Sequence, residues 1–222
     1  MFKLQIKYLS FFFGIVSILS FFNILYSYYF NLYLNLDTYY FTLLASSILF
    51  ITFFKFGKYD IKSNIFQRIL TIFLGYLLIP LVLSIPFYFS IYNLTFSNSF
   101  FEAISGFTST GFTVFENIKL IDQSLIIWRS STQWLGGLYF LFSIIYLIDI
   151  YDDSFKKTLT NFISFNSSEI LKQAAKIFIL YSLLTILIFI ILNIFSIRTF
   201  DSLNLSLTII SSGGFLPVNE LS

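Results

Sequence analysis

FFEAISGFTSTGFTVFENIKLIDQSLIIWRSSTQWLGG, residues 100–137, interrupts a chain that is otherwise mostly apolar helix. Ser105, Thr108, Ser109, Thr110, Gly111 and Thr113 crowd together between two long oily segments. A run like this cannot cross lipid as an exposed loop, because each unpaired backbone group there costs several kcal/mol. It is tolerated only inside protein or along a water-filled cavity. The residues from Ser97 to about Phe107 read as a short amphipathic helix, and a Thr/Ser/Gly turn follows it. That is the pattern of a re-entrant pore loop, whose turn carbonyls can replace the hydration shell of a cation. The stretch therefore implies an ion pathway.

The composition agrees. Of 222 residues, 57% are hydrophobic and 11% charged, and the mean hydropathy is +0.85. Soluble domains carry about 25% charge, so the class is an all-α polytopic membrane protein. The chain has neither Cys nor His. Disulfides, thiolate nucleophiles, imidazole bases and the usual zinc sites are thereby excluded. The spans offer almost no carboxylates, so an intramembrane enzyme is not expected. There is also no phosphate loop and no GxGxxG, hence no nucleotide site in this chain, and nothing points to nucleic acid.

Outward from the central stretch, five spans are expected: 9–30, 38–54, 65–91, 124–150 and 174–196. A span needs about 20 apolar residues to cross about 30 Å. The leading Lys3 and Lys7 precede an apolar run too long for a signal peptide, so the first span reads as uncleaved. Pro80 and Pro86 predict a kink in the third span, or an end near Ile85. Trp128 and Trp134 suggest an interfacial position for the start of the fourth, and Gly136-Gly137 a close backbone approach. Ten of the thirteen cations, Lys3, Lys7, Lys55, Lys58, Lys62, Arg68, Lys156, Lys157, Lys172 and Lys176, fall on one side. That side is expected to be cytoplasmic, together with the N-terminus, and the pore loops then open outside. Asp149, Asp152 and Asp153 read as a solvated helix end rather than a metal cluster.

The chain also repeats itself. Setting Gly111 over Gly214 aligns TSTGF (108–112) with SSGGF (211–215), and Thr95-Phe96-Ser97 meets Thr199-Phe200-Asp201 after a one-residue gap. The layout is a two-helix preface (1–64), a helix–pore loop–helix unit (65–151) and a second unit lacking its inner helix (152–222). Internal repeats with sites at corresponding positions are common in transporters.

FFEAISGFTSTGF followed by WRSSTQWLGG, with LSIPF (83–87) before and SSGGF after, resembles the Trk-type potassium transporters, the TrkH branch of the Trk/Ktr/HKT superfamily. The resemblance runs from about residue 65 to 215 and is strongest at the two loops. It implies potassium uptake across the cytoplasmic (inner) membrane, with four such units around one pore. K⁺ would be the transported ion, with no tightly bound cofactor. Carbonyls of Thr108, Ser109, Thr110 and Gly111, and of Ile210, Ser211, Ser212, Gly213 and Gly214, would form the selectivity filter. Glu102, Arg129 and Gln133 would support it: Glu102 as a hydrogen-bond acceptor for the filter backbone or in contact with the ion, Gln133 as a brace. Arg129 is expected to snorkel outward as an anchor, or to pair with an acid such as Glu116 or Asp122. Asn23 is expected in a helix–helix hydrogen bond. Expected partners are membrane lipid, further copies or a complementary half-transporter, and a cytoplasmic nucleotide-binding regulatory subunit of the TrkA kind. Two features depart from the family. Fewer than two units are present, which reads as a fragment, a split half, or a non-conducting assembly subunit or degenerate remnant. Gly136-Gly137 also continues into Leu138-Tyr139-Phe140, where the family favours small residues.

Overall fold

The computed structural model describes residues 6–57, 65–148 and 170–217, and every regular element in them is helical. Helices α1 (Ile6–Tyr29) and α2 (Leu36–Phe56) form an antiparallel hairpin. At its tip Asn31 takes φ 57°, a left-handed conformation that Asn tolerates better than most side chains. Hydroxyls stitch the seam where two apolar helices would gain little from hydrophobic burial in lipid. Ser17 and Ser46 lie 2.8 Å apart, and Ser20 donates to the Tyr39 carbonyl at 2.8 Å.

Helix α3 (Ile65–Leu83) contains Pro80, and α4 (Ile85–Tyr88) starts after Ser84 with Pro86 in its first turn. Neither proline can donate to the carbonyl four residues back. The expected interruption near Ile85 therefore falls at Ser84, whose hydroxyl turns back to the Leu81 carbonyl at 2.8 Å. Short α5 (Phe96–Phe107) follows, then a 3₁₀ turn (Ile118–Leu120), then long α6 (Gln123–Ile148). Finally come α7 (Ile170–Ile194) and short α8 (Thr199–Ile210).

Among the described residues, four segments are long and apolar enough to cross a membrane: 7–29, 36–56, 65–88 and 176–194. The remaining expected span is α6, which is 26 residues long but carries Arg129, Gln133 and a run of hydroxyls in its first half. On α2, Phe41, Leu44, Ile48 and Ile51 recur at helical spacing and are exposed. This makes an apolar stripe facing outward. Helix α7 shows the same with Ile179, Leu183, Ile186 and Ile190.

Helix α6 is the axis of the fold and packs against α1, α3, α5, α7 and α8. Tyr139, the departure noted in the sequence, is fully buried at the centre. Its ring centroid lies 4.7 Å from that of Phe12, 5.0 Å from Tyr76 and 5.2 Å from Phe107, and its hydroxyl donates to the Ile72 carbonyl at 2.9 Å. Room for that hydroxyl exists because residue 75 is Gly; a Cβ there would overlap it. Asn23 donates to the Ser124 carbonyl at 3.0 Å, linking α1 to α6.

The tryptophans correct an expectation. Trp128 is 1% and Trp134 6% exposed, so they are packed inside the protein and not turned toward lipid as a belt would be. Each indole N–H has a specific internal acceptor: the Leu83 carbonyl at the α3 break (3.0 Å) for Trp128, and Thr185 Oγ1 on α7 (2.9 Å) for Trp134. Once its one donor is satisfied, an indole is a large apolar body that favours burial. Asp149, Asp152 and Asp153, and most of the basic loops, lie outside the described residues.

Candidate functional site

Helices α5 (96–107) and α8 (199–210) each have twelve residues and are offset by 103 positions, the same offset that sets Gly111 over Gly214. The one-residue gap expected upstream is therefore absent: Thr95 corresponds to Arg198 as the residue before each helix. The T-F pairs that suggested the gap stand one position apart in the two helices.

The turns that follow correspond residue for residue. Thr108 (φ −87°, ψ 3°) matches Ser211 (φ −88°, ψ 0°). Ser109 and Ser212 are both left-handed, at φ 56° and 53°. Ser109 N donates to Gly106 O at 2.9 Å, and Ser212 N to Ile209 O at 3.0 Å. Thr110 N donates to Ser105 O at 3.0 Å, and Gly213 N to Thr208 O at 2.8 Å. Among the described residues, no hydrogen bond reaches the carbonyls of 108–111 or 210–214, whereas those of Ile104, Ser105, Gly106, Thr208 and Ile209 are all engaged. Thr108, Thr110, Ser212 and Gly214 are exposed; Ser109, Gly111 and Gly213 are half-buried.

The two turns meet. Gly111 has φ +82°, and a Cβ on it would stand 2.5 Å from the Gly214 Cα. Both the backbone conformation and the contact require glycine at this position. Helix α6 supports both turns from behind, with one glycine for each. A Cβ on Gly136 would overlap the Phe107 carbonyl at the end of α5, and one on Gly137 would stand 2.7 Å from Ser211 Cβ at the end of α8.

The supporting residues come together in the same place. Glu102, fully buried on α5, accepts from Val114 N at 2.9 Å and from Thr113 Oγ1 at 3.0 Å, so the chain beyond Gly111 folds back along its own helix. Ser105 Oγ adds a bond to the Phe112 carbonyl at 2.6 Å. Arg129 overturns its expected outward anchoring. It is 1% exposed, and its Nε donates to Glu102 Oε1 at 2.8 Å. A guanidinium that far from water needs a buried counter-charge, which the exposed Glu116 could not be. Asp122 is committed instead to Asn35 and Ser124. Gln133 is buried; its Oε1 accepts from Phe215 N at 3.2 Å, and its amide packs on Gly213. Phe215 itself was not singled out in the sequence, and only its place directly after the second turn could have drawn attention to it.

No family model matches the chain. It is 28% identical over 151 residues to an uncharacterized cation transporter of Methanocaldococcus jannaschii, covering 64% of this chain and 30% of that one. The potassium uptake protein TrkH of Escherichia coli is 26% identical over 165 residues (71% of this chain, 34% of TrkH). TrkG of the same organism is 24% identical over 188 residues (78% and 39%). The chain thus spans well under half the length of these curated relatives, all of them transporters. The crystal structure of TrkH from Vibrio parahaemolyticus superimposes with a TM-score of 0.78 at 18% identity, over 98% of this chain and 44% of TrkH. This establishes the fold. Over part of their length, the chain is similar in sequence to the Trk-type potassium uptake proteins, and it shares the fold of one of them.

Proposed function

We propose that the chain contributes two filter turns to a potassium pathway across the cytoplasmic membrane, and that K⁺ moves down its electrochemical gradient through them. The carbonyls of Thr108–Gly111 and Ile210–Gly214 are the ion ligands. The observation carrying this reading is that two corresponding turns leave those carbonyls without hydrogen bonds among the described residues, while the carbonyls of Ile104, Ser105, Gly106, Thr208 and Ile209 are engaged. An unpaired carbonyl at membrane depth is costly, and a partly dehydrated monovalent cation compensates it. The relatives' names, which specify potassium uptake, support the choice of ion. The N-terminus lies in the cytoplasm, both turns open outward, and surrounding lipid covers the apolar faces of α2 and α7. A single chain presents its turns on an open face, so further copies or a complementary half complete the pathway. A nucleotide-binding regulatory subunit on the cytoplasmic side gates it.

The test is growth at limiting K⁺ of cells lacking their own uptake systems, with membrane insertion of the expressed chain confirmed. Rescue that disappears with Gly111→Ser supports the filter reading. Rescue unaffected by Gly111→Ser refutes it, and insertion without rescue in any pairing favours a non-conducting assembly subunit.

A further inference from the structure

The two repeats are alike in their turns and unlike in what stands behind them. Where the first has Glu102, the second has Leu205; where the first exposes Phe112 at 69%, the second buries Phe215 at 2%. The difference converges on one side chain of α6. Arg129 reaches the first repeat through hydrogen bonds: Nε to Glu102 at 2.8 Å and Nη2 to Thr113 Oγ1 at 3.1 Å. It reaches the second through its face, with Cζ 4.2 Å from the centroid of the Phe215 ring. That ring is wedged between the guanidinium and α5, because a Cβ on Gly106 would stand 3.0 Å from Phe215 Cε2. One turn further along α6, Gln133 fixes the Phe215 backbone.

From this geometry we infer that Arg129 is a positioning residue that couples the two filter turns, hydrogen-bonded to the segment after the first and stacked on the residue after the second. Arginine suits this task because its edge donates in a fixed fork while its flat face lies on an aromatic ring, which a lysine cannot do at the same time. The turns touch at Gly111 and Gly214, so their relative placement follows from how firmly the segments that follow them are tied to one point. Its consequence for ion discrimination rests on the filter reading; the coupling itself does not.

The chain has no cysteine, so spin labels on Thr108→Cys and Ser212→Cys, both exposed, report the separation of the turns in the full chain in lipid nanodiscs. A single narrow distance is expected. Arg129→Lys keeps a charge for Glu102 but loses the flat face, and the narrow distance is lost. Phe215→Leu, a milder change that leaves the ion pair intact, loses it too. Phe215→Tyr, which keeps a ring face, retains it, as does the surface change Lys119→Ala. A narrow distance surviving both Arg129→Lys and Phe215→Leu, in protein of unchanged helicity, overturns the coupling. Loss of the narrow distance in the variants, of a chain whose rescue at limiting K⁺ is unaffected by Gly111→Ser, would keep the coupling and overturn the filter reading, so the two fail separately.

Discussion

Removing the Arg129 side chain, as Arg129→Leu, leaves the Glu102 carboxylate buried with its Val114 and Thr113 donors but no counter-charge. Breaking one partner of a buried pair costs about 3–5 kcal/mol, whereas replacing both by apolar groups is often close to neutral. The double variant Glu102→Leu/Arg129→Leu is therefore expected to recover most of the loss. Recovery is incomplete here, because Glu102 also accepts from Val114 N, and an orphaned buried donor costs about 1–3 kcal/mol. The ordering is wild type, then the double variant, then Arg129→Leu. Reversible unfolding of the purified chain in mild detergent, read by far-UV circular dichroism, measures all three. A double variant as unstable as the sum of its single changes would refute the reasoning, since it would mean that the two charges are not energetically coupled.

Gly75→Ala should destabilise by about 1–3 kcal/mol through overpacking against the Tyr139 hydroxyl, and Gly75→Ala/Tyr139→Phe should regain part of that in the same unfolding assay. Gly136→Val should be worse, because its Cβ meets the Phe107 carbonyl of a backbone that cannot give way; loss of folded, detergent-stable protein on size exclusion is the expected outcome. Trp134→Phe removes the hydrogen bond to Thr185 and part of a buried ring, and should cost about 1–3 kcal/mol in unfolding, with the fold and the tryptophan emission of Trp128 preserved.

The sequence alone was enough for the helical membrane class, four of the five expected spans to within a few residues, and the repeat of the two turns. All of these are local signals. Runs of apolar residues have a length fixed by the bilayer, Pro86 stands beside a helix break, and the close approach of the two turns shows in the glycines at 111 and 214. The turn chemistry after α5 and after α8 is written in five residues each, so the repeat at Gly111 and Gly214 could be seen without a structure. Upstream the letters diverge, and only the backbone register showed that Arg198, not Thr199, is the counterpart of Thr95.

What the tertiary structure decided was partnership. Arg129 has acids near it in sequence at Glu116 and Asp122, yet it pairs with Glu102, 27 residues away on another helix. Trp128 and Trp134 carry the composition of interfacial anchors, but their N–H groups find acceptors in the core. Gln133 meets Phe215 across 82 residues, and nothing at either position announces the other. A sequence records what each residue can donate, accept or bury. Which of several possible partners satisfies it depends on how long helices stack around α6, and that is set by the close approaches at Gly75, Gly136 and Gly137 rather than by any local pattern.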